Sequence, residues 1–123
     1  MNLIVCGTRT FNDRRLLFRT LDKLTAKLNK VKLVIFSGHA KGADTLAEEW
    51  ADENDVRCFT FPADWARKGA SAGPIRNEKM AIEAGSKGVC VAFWDGRSSG
   101  TDCMIDIAKR YKLKTIVIRY DQM

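Results

Sequence analysis

The chain has 123 residues, of which 46% are hydrophobic and 29% are charged, and this composition excludes a disordered chain and fits one domain with a single core. The formal net charge of +6 favours an anionic partner: a nucleotide, a nucleic acid or an acidic surface. The basic residues form no block, so charge alone does not separate a nucleic-acid surface from a diffuse solvated one.

The first half of the chain predicts the order β-α-β-α-β. An apolar run at 3–6 is followed by the possible helix cap Asn12–Asp13 and by four leucines at helical spacing, Leu17, Leu21, Leu24 and Leu28. A second apolar run at 32–36 leads into a helix with the apolar stripe Ala43, Leu46, Ala47, Trp50 and Ala51. This stripe places Trp50 in the core, and a third apolar run follows at 56–61.

The second half of the chain continues the alternation after an unusually long connection at 62–74. Long connections in compact domains are often functional, and this one carries Trp65, Arg67 and Lys68. Pro74 then suits the first turn of a helix that ends at Gly85. Apolar runs at 88–94 and 114–120 enclose a last helix, for which Ser99–Thr101 is the expected cap.

The element order predicts one α/β domain over residues 1–123. We expect a Rossmann-like doubly wound fold with about five parallel strands and helices on both faces. Four cysteines without Cys/His clustering indicate reduced thiols and no metal site, and nothing in the sequence calls for a cofactor. The first apolar run is too short for a signal peptide and no run has membrane-spanning length, so we expect a cytoplasmic protein without membrane contact.

Ligands of such folds bind beyond the carboxyl ends of the strands. Each loop expected there combines small residues with hydroxyl, amide or arginine groups: GTRTFND, SGHAKGAD, PADWARKGASAGPIRN and WDGRSSGTD. Glycines beside helix N-termini allow a backbone to wrap a phosphate, arginines can add bidentate contacts, and Trp65 can stack on a base. The ligand-binding candidates are Gly7, Thr8, Arg9, Ser37, Gly38, Gly42, Asp44, Trp65, Arg76, Asn77, Gly100 and Thr101.

Two residues are candidates for acid–base chemistry. Asp44 opens the second helix, where it either stabilises the helix N-terminus, binds ribose hydroxyls or acts as a general base. His39, the single histidine, lies in the preceding glycine-bearing loop and suits phosphate contact or proton transfer near neutral pH. Glu48, one turn beyond Asp44, is expected on the exposed surface.

These loop sequences, together with the run ADW…GxxAGPxRNxxM, resemble the YspA-type branch of the SLOG superfamily over nearly the whole chain. The resemblance implies a Rossmann-like fold and a pocket for a nucleotide or nucleotide-derived ligand, including ADP-ribose-like molecules. It also implies self-association, so we expect a homo-oligomer.

The resemblance extends to LOG-type enzymes, which cleave the N-glycosidic bond of nucleoside monophosphates with a GGxGTxxE motif and an arginine. The matching stretch SSGTDCM keeps Gly100 and Thr101 but places Met104 at the glutamate position, and Arg76 corresponds to the arginine. A methionine cannot transfer protons. The leading hypothesis is therefore a binder that acts as a sensor or sequestering protein; the alternatives are a hydrolase using Asp44 or His39, and a single-stranded nucleic-acid binder of the DprA kind.

Overall fold

A computed structural model describes residues 1–122 and contains one five-stranded sheet. The strands are β1 (Asn2–Gly7), β2 (Val34–Ser37), β3 (Arg57–Thr60), β4 (Val89–Trp94) and β5 (Lys114–Arg119). The helices are α1 (Arg14–Thr25), α2 (Ala43–Glu53), α3 (Trp65–Lys68), α4 (Ala72–Ala84) and α5 (Ser99–Arg110). The sheet order is β3-β2-β1-β4-β5 and all its pairs are parallel, which confirms the predicted Rossmann-like fold.

The central strand β1 carries apolar side chains on both faces of the sheet, so both faces need to be covered by helices. In β1, Leu3 and Val5 face one core cluster whereas Ile4 and Cys6 face the other, as alternation along a strand requires. All four residues are buried, so β1 is a continuous apolar run without a polar side. The helices α1 and α2 pack on the first face, and α4 and α5 pack on the second.

Trp50 anchors the first of these two helix layers. Its side chain is fully buried within the cluster that α1 and α2 form over the sheet, as the apolar stripe predicted. Its indole N–H donates to Asp22 Oδ1 on α1 at 2.9 Å, so the polar atom of this side chain also has a partner. Trp50 therefore ties α1 to α2 and has no part in the ligand edge.

Helix starts follow the expected local signals, with two differences. Asp13 caps α1 by accepting from the Leu16 N–H, but the cap of α5 is Ser98, one residue before the predicted stretch. The connection 62–74 is not an open loop: it contains α3 and a 3₁₀ turn at Gly69–Ser71 before α4 begins. Asp64 starts α3 because its carboxylate accepts from the Arg67 N–H at 3.3 Å.

The strand order determines where a ligand site lies. The chain moves outward from β1 to β3 on one side, then returns to the other side of β1 to form β4 and β5. The loops after β1 and β4 therefore separate above the sheet and leave a crevice at the switch point. Within residues 1–122, no helix combines the length and the apolar character needed to cross a membrane.

Candidate functional site

A cavity of about 680 Å³ occupies the crevice above β1 and β4, a volume in the usual range for small-molecule sites. Its walls come from the loops after β1 and β4, the start of α2, and the segment from α3 into α4. The structure brings nine of the predicted site residues together in its lining: Gly7, Thr8, Arg9, Asp44, Trp65, Arg76, Asn77, Gly100 and Thr101.

Asp44 is the buried carboxylate of this cavity. The residue is only 5% exposed, and Oδ2 accepts from the Ala40 N–H at 3.2 Å. Burial raises the pKa of Asp44 to about 7, because desolvation and the neighbouring Glu48 charge outweigh the Ala40 hydrogen bond and the positive charges of Arg76 and Arg9. A carboxyl group that titrates near neutral pH can both accept and donate a proton at the cavity wall.

Arg76 is the buried cation of the cavity and is held from two sides. Its Nη1 donates to the Gly38 carbonyl at 2.5 Å and its Nε donates to Asn77 Oδ1 at 2.8 Å. Burial lowers the pKa of Arg76, although Asp44 opposes that effect, and the guanidinium remains charged at neutral pH. Arg76 thus fixes the loop after β2 against α4, and it also belongs to the cavity lining.

The glycines of the loop after β2 lie outside the cavity lining, and their roles are steric. A Cβ on Gly38 would lie 2.5 Å from Arg76 Nη1, so the missing side chain makes room for the guanidinium. Gly42 has φ +84°, and a Cβ there would collide with the Thr8 carbonyl oxygen. The two glycines therefore allow this loop to pack closely against Arg76 and against the loop after β1.

Ser37 and His39 also lie outside the cavity lining, in a polar cluster with Glu48. The Ser37 hydroxyl donates to Glu48 Oε2 at 2.7 Å, and His39 Nδ1 lies 3.0 Å from the same oxygen. The expectation that Glu48 is an exposed surface residue is wrong: its side chain is 23% exposed and bridges these two partners. His39 has φ +60° and a side chain that is 58% exposed.

The first turn of α5 supplies the best anion-binding donors. Ser98 Oγ caps the helix by accepting from the Thr101 N–H, which leaves the N–H groups of Ser99 and Gly100 without intrahelical partners. Both residues line the cavity, and a Cβ on Gly100 would meet no atom of residues 1–122 within 4 Å apart from its chain neighbours and the backbone of its own helix. This helix start therefore offers free donors, a positive dipole end and open space.

Asp95 organises the loop that leads into α5. Its Oδ1 accepts from the N–H groups of Arg97 and Ser98, each at 2.8 Å, and these hydrogen bonds lower the pKa of the carboxyl. The Asp95 N–H in turn donates to Thr8 Oγ1 at 3.3 Å, which connects the loops after β1 and β4. Thr8 thus has a structural contact in addition to its place in the cavity lining.

The floor and rim of the cavity include residues that were not among the predicted site residues, although Met104 had been noted at the LOG-type glutamate position. Four sulfur-containing residues form an apolar floor, namely Cys6, Met80, Cys103 and Met104. Arg97 and Asp95 lie at the rim, and the WDGRSSGTD loop was their only signal in the sequence. Trp65 is 48% exposed, and the Arg9 guanidinium lies over its ring, 5.6 Å from the centroid. Arg9 therefore lies beside the ring on which a base was predicted to stack.

Fold and cavity together define an α/β domain with an arginine-bearing crevice at the topological switch point. The profile of the YspA, cpYpsA-related SLOG family matches residues 1–68, more than half of the chain. The Gene 61 protein of Mycobacterium phage D29 is 36% identical over an alignment of 115 residues, and the match covers 87% of this chain and 88% of the phage protein. The chain therefore belongs to the YspA, cpYpsA-related SLOG family. No solved structure matches it significantly.

Proposed function

We propose that the cavity binds a nucleotide or nucleotide-derived ligand, such as a nucleoside phosphate or an ADP-ribose-like molecule, and that the protein acts as a sensor or sequestering protein. The observation that carries the proposal is the first turn of α5, where Ser99 and Gly100 line the cavity and their N–H groups have no intrahelical partners. Membership of the SLOG family supports a nucleotide-related ligand.

Different residues of the cavity suit the phosphate, the sugar and the base of such a ligand. Phosphate oxygens suit the α5 amides, with Arg97 at the rim adding positive charge. The Asp44 carboxyl suits sugar hydroxyls, which it binds as an acceptor when ionised and also as a donor when protonated. The sulfur-rich floor is apolar and polarisable, and it suits the face or edge of a base.

The α5 contact is tested by Gly100→Asp, with Gly100→Asn as an uncharged control of the same size. Because a side chain at Gly100 would extend into open space, both variants should fold. Calorimetric titration with AMP, ADP, ADP-ribose and inorganic phosphate should show binding of at least one nucleotide, weakened about ten-fold or more in Gly100→Asp and much less in Gly100→Asn.

Two results would contradict this assignment. If none of the three nucleotides stabilises or titrates the unmodified protein at about millimolar concentration, the nucleotide proposal fails. If a nucleotide binds and Gly100→Asp binds it as well as the unmodified protein does, the phosphate lies elsewhere in the cavity. Tight single-stranded DNA binding at physiological salt, measured by fluorescence anisotropy, would instead favour the nucleic-acid alternative.

Hydrolysis of the bound ligand is a second candidate function, favoured by the buried Asp44 with its pKa of about 7. Met104 lies in the cavity floor at the place that the LOG-type motif gives to glutamate, so we expect no release, or very slow release, of base from AMP, GMP, CMP or UMP. Chromatography of the incubated nucleotides tests this. Rapid release that disappears in Asp44→Asn would establish a hydrolase, and release lost only in His39→Ala would move the chemistry to the histidine.

A further inference from the structure

Two buried thiols meet beneath the cavity, on the two central strands of the sheet. Cys6 Sγ of β1 lies 4.0 Å from Cys90 Sγ of β4. The two cysteines are 84 positions apart in the chain, so their spacing in the sequence gave no sign of the pair. The parallel pairing of β1 with β4 brings them together, and both side chains belong to the core cluster on the face that α4 and α5 cover.

The register of the sheet does not suit a disulfide between these two thiols. Cys6 stands opposite Ala92 and Cys90 stands opposite Ile4, so the two cysteines are offset by two residues along the strands. With about 4.8 Å between strands and about 3.3 Å per residue, this diagonal places the two Cα atoms about 8 Å apart. A disulfide needs Cα atoms within about 7 Å of each other. The two thiols are therefore neighbours that oxidation does not join.

The same spacing suits a metal ion held between the two sulfurs. Two metal–thiolate bonds of about 2.3 Å that meet at an angle of about 120° place their sulfurs about 4.0 Å apart, as Cys6 Sγ and Cys90 Sγ are. The described part of the chain holds no group of three or more histidine, cysteine or carboxylate side chains placed for a metal, which argues against a zinc site. Soft sulfur ligands in small number select Cu(I) instead.

We propose that Cys6 and Cys90 bind one Cu(I) ion as a pair of thiolates. On binding, each thiol gives up its proton to solvent and each Sγ forms one bond to copper. The ion stays Cu(I), and two thiolates with one Cu⁺ leave one net negative charge. Met80 and Met104 belong to the same buried cluster and line the same cavity, so thioether sulfurs, which are also soft ligands, surround the pair.

The cavity gives the ion a route to the thiols and supplies a nearby positive charge. Cys6 lines the cavity, whereas Cys90 is fully buried. The hydrogen bond with Cys90 and burial raise the pKa of the Cys6 thiol, and the positive charge of Arg76 opposes this rise. Arg76 therefore acts on Cys6 in the direction that favours a thiolate, and it offsets the negative charge of the copper-bound pair.

Copper retention under argon tests the site with the full chain and without any nucleotide, so its outcome is independent of the proposed function. The protein is loaded with Cu(I), challenged with the chelator bicinchoninate and examined by native mass spectrometry. The unmodified protein should keep one copper per chain, and Cys6→Ala and Cys90→Ala should each bind it about a hundred-fold or more weakly. Cys58→Ala is the matched control that should retain copper, because Cys58 lies on the edge strand β3.

X-ray absorption at the copper edge of the unmodified protein adds a measurement that does not depend on how the variants fold. It should show a first shell of sulfur at about 2.3 Å, and circular dichroism should show that each variant is folded. A protein that yields its copper to the chelator would overturn the proposal, as would a first shell of nitrogen or oxygen. Retention in Cys90→Ala, or equal loss in Cys58→Ala, would show that copper does not select this pair and would overturn it too.

Discussion

At the scale of single residues, Asp44 is the most consequential side chain of the cavity. It is buried where water would otherwise solvate its charge, and Arg76 lies near enough to oppose its raised pKa but does not form a direct ion pair with it. The folded state therefore holds the proton of Asp44 up to about pH 7, whereas the unfolded chain releases it near the ordinary value of 3.8. Ionisation of Asp44 therefore destabilises the folded protein. Hydrogen bonds donated by ligand hydroxyls to the carboxylate can reduce this destabilisation.

The raised pKa predicts how stability changes with pH. The folded state binds this proton more tightly than the unfolded chain does. The stabilising contribution of protonated Asp44 to the free energy of unfolding is therefore fully present below about pH 4 and is lost as pH rises through about 7. Asp44→Asn should therefore raise the free energy of unfolding at about pH 8 by about 2–4 kcal/mol, and should change it little at about pH 4. Urea titrations of both proteins across this range measure the difference.

Asp52→Asn is the matched control for this titration, because Asp52 lies on the same helix and is exposed. Because its side chain is exposed, this substitution should change the free energy of unfolding at about pH 8 much less than Asp44→Asn does. Equal pH profiles for the unmodified protein and for Asp44→Asn would show that the Asp44 carboxyl ionises as easily in the folded protein as in water, and the acid–base role would then lose its physical basis.

At the scale of elements, the junctions between strands and helices perform two different tasks. The loop from β2 into α2 uses Gly42 to approach the loop after β1, and it uses Gly38 to admit Arg76. The loop from β4 into α5 instead leaves the space beside Gly100 empty. One junction therefore builds the cavity wall by close packing, and the other leaves room for a ligand.

Alanine substitutions at these two junctions should have opposite effects. Gly42→Ala forces a side chain into a positive-φ position and into the Thr8 carbonyl, so it should destabilise the protein by about 2 kcal/mol or more. Gly100→Ala adds a methyl group to a helix in open space and should be neutral or stabilising by up to about 1 kcal/mol. Thermal and urea unfolding distinguish them. Equal stability of the two variants would show that the loop contact at Gly42 is not maintained in solution.

At the scale of the whole molecule, the strands of the sheet differ in how far neighbouring strands and helices shield them from solvent. The central strands β1 and β4 each have a neighbour on both sides and are buried on both faces. The edge strand β3 has one neighbour and three exposed residues out of four, Arg57, Phe59 and Thr60. Cooperative stability should therefore be concentrated around the strands beneath the ligand cavity, and the edges should open first.

Hydrogen exchange measures this gradient. Amides of β1 and β4 should exchange about a hundred-fold or more slowly than those of β3, because their exposure requires opening of the sheet centre. Exchange by mass spectrometry at several pH values resolves the segments. Protection of β3 equal to that of β1 in the monomer would contradict the gradient.

The alternation of apolar runs and helical stripes was sufficient to predict the sheet and the helix layers, and the cavity lies at the sheet edge where a site was expected. Local rules also identified Asp13 as a cap and Gly85 as a helix end, since these depend on a few neighbouring residues. Contacts between side chains from distant parts of the chain were not predicted. Nothing near Glu48 in the sequence indicates that Ser37 and His39 would hold it, and nothing near Met80 or Cys103 indicates a shared cavity floor.

The sequence by itself determined the α/β class, the five strands and the family, because periodicity and loop motifs are local patterns that can be recognised without a structure. Only the tertiary structure decided which loop residues meet. The order β3-β2-β1-β4-β5 brings the loops after β1 and β4 to one crevice, turns Gly38 and Gly42 into packing residues, and buries Asp44 enough to raise its pKa. Burial and desolvation depend on the positions of atoms far apart in the chain, so no local pattern encodes them.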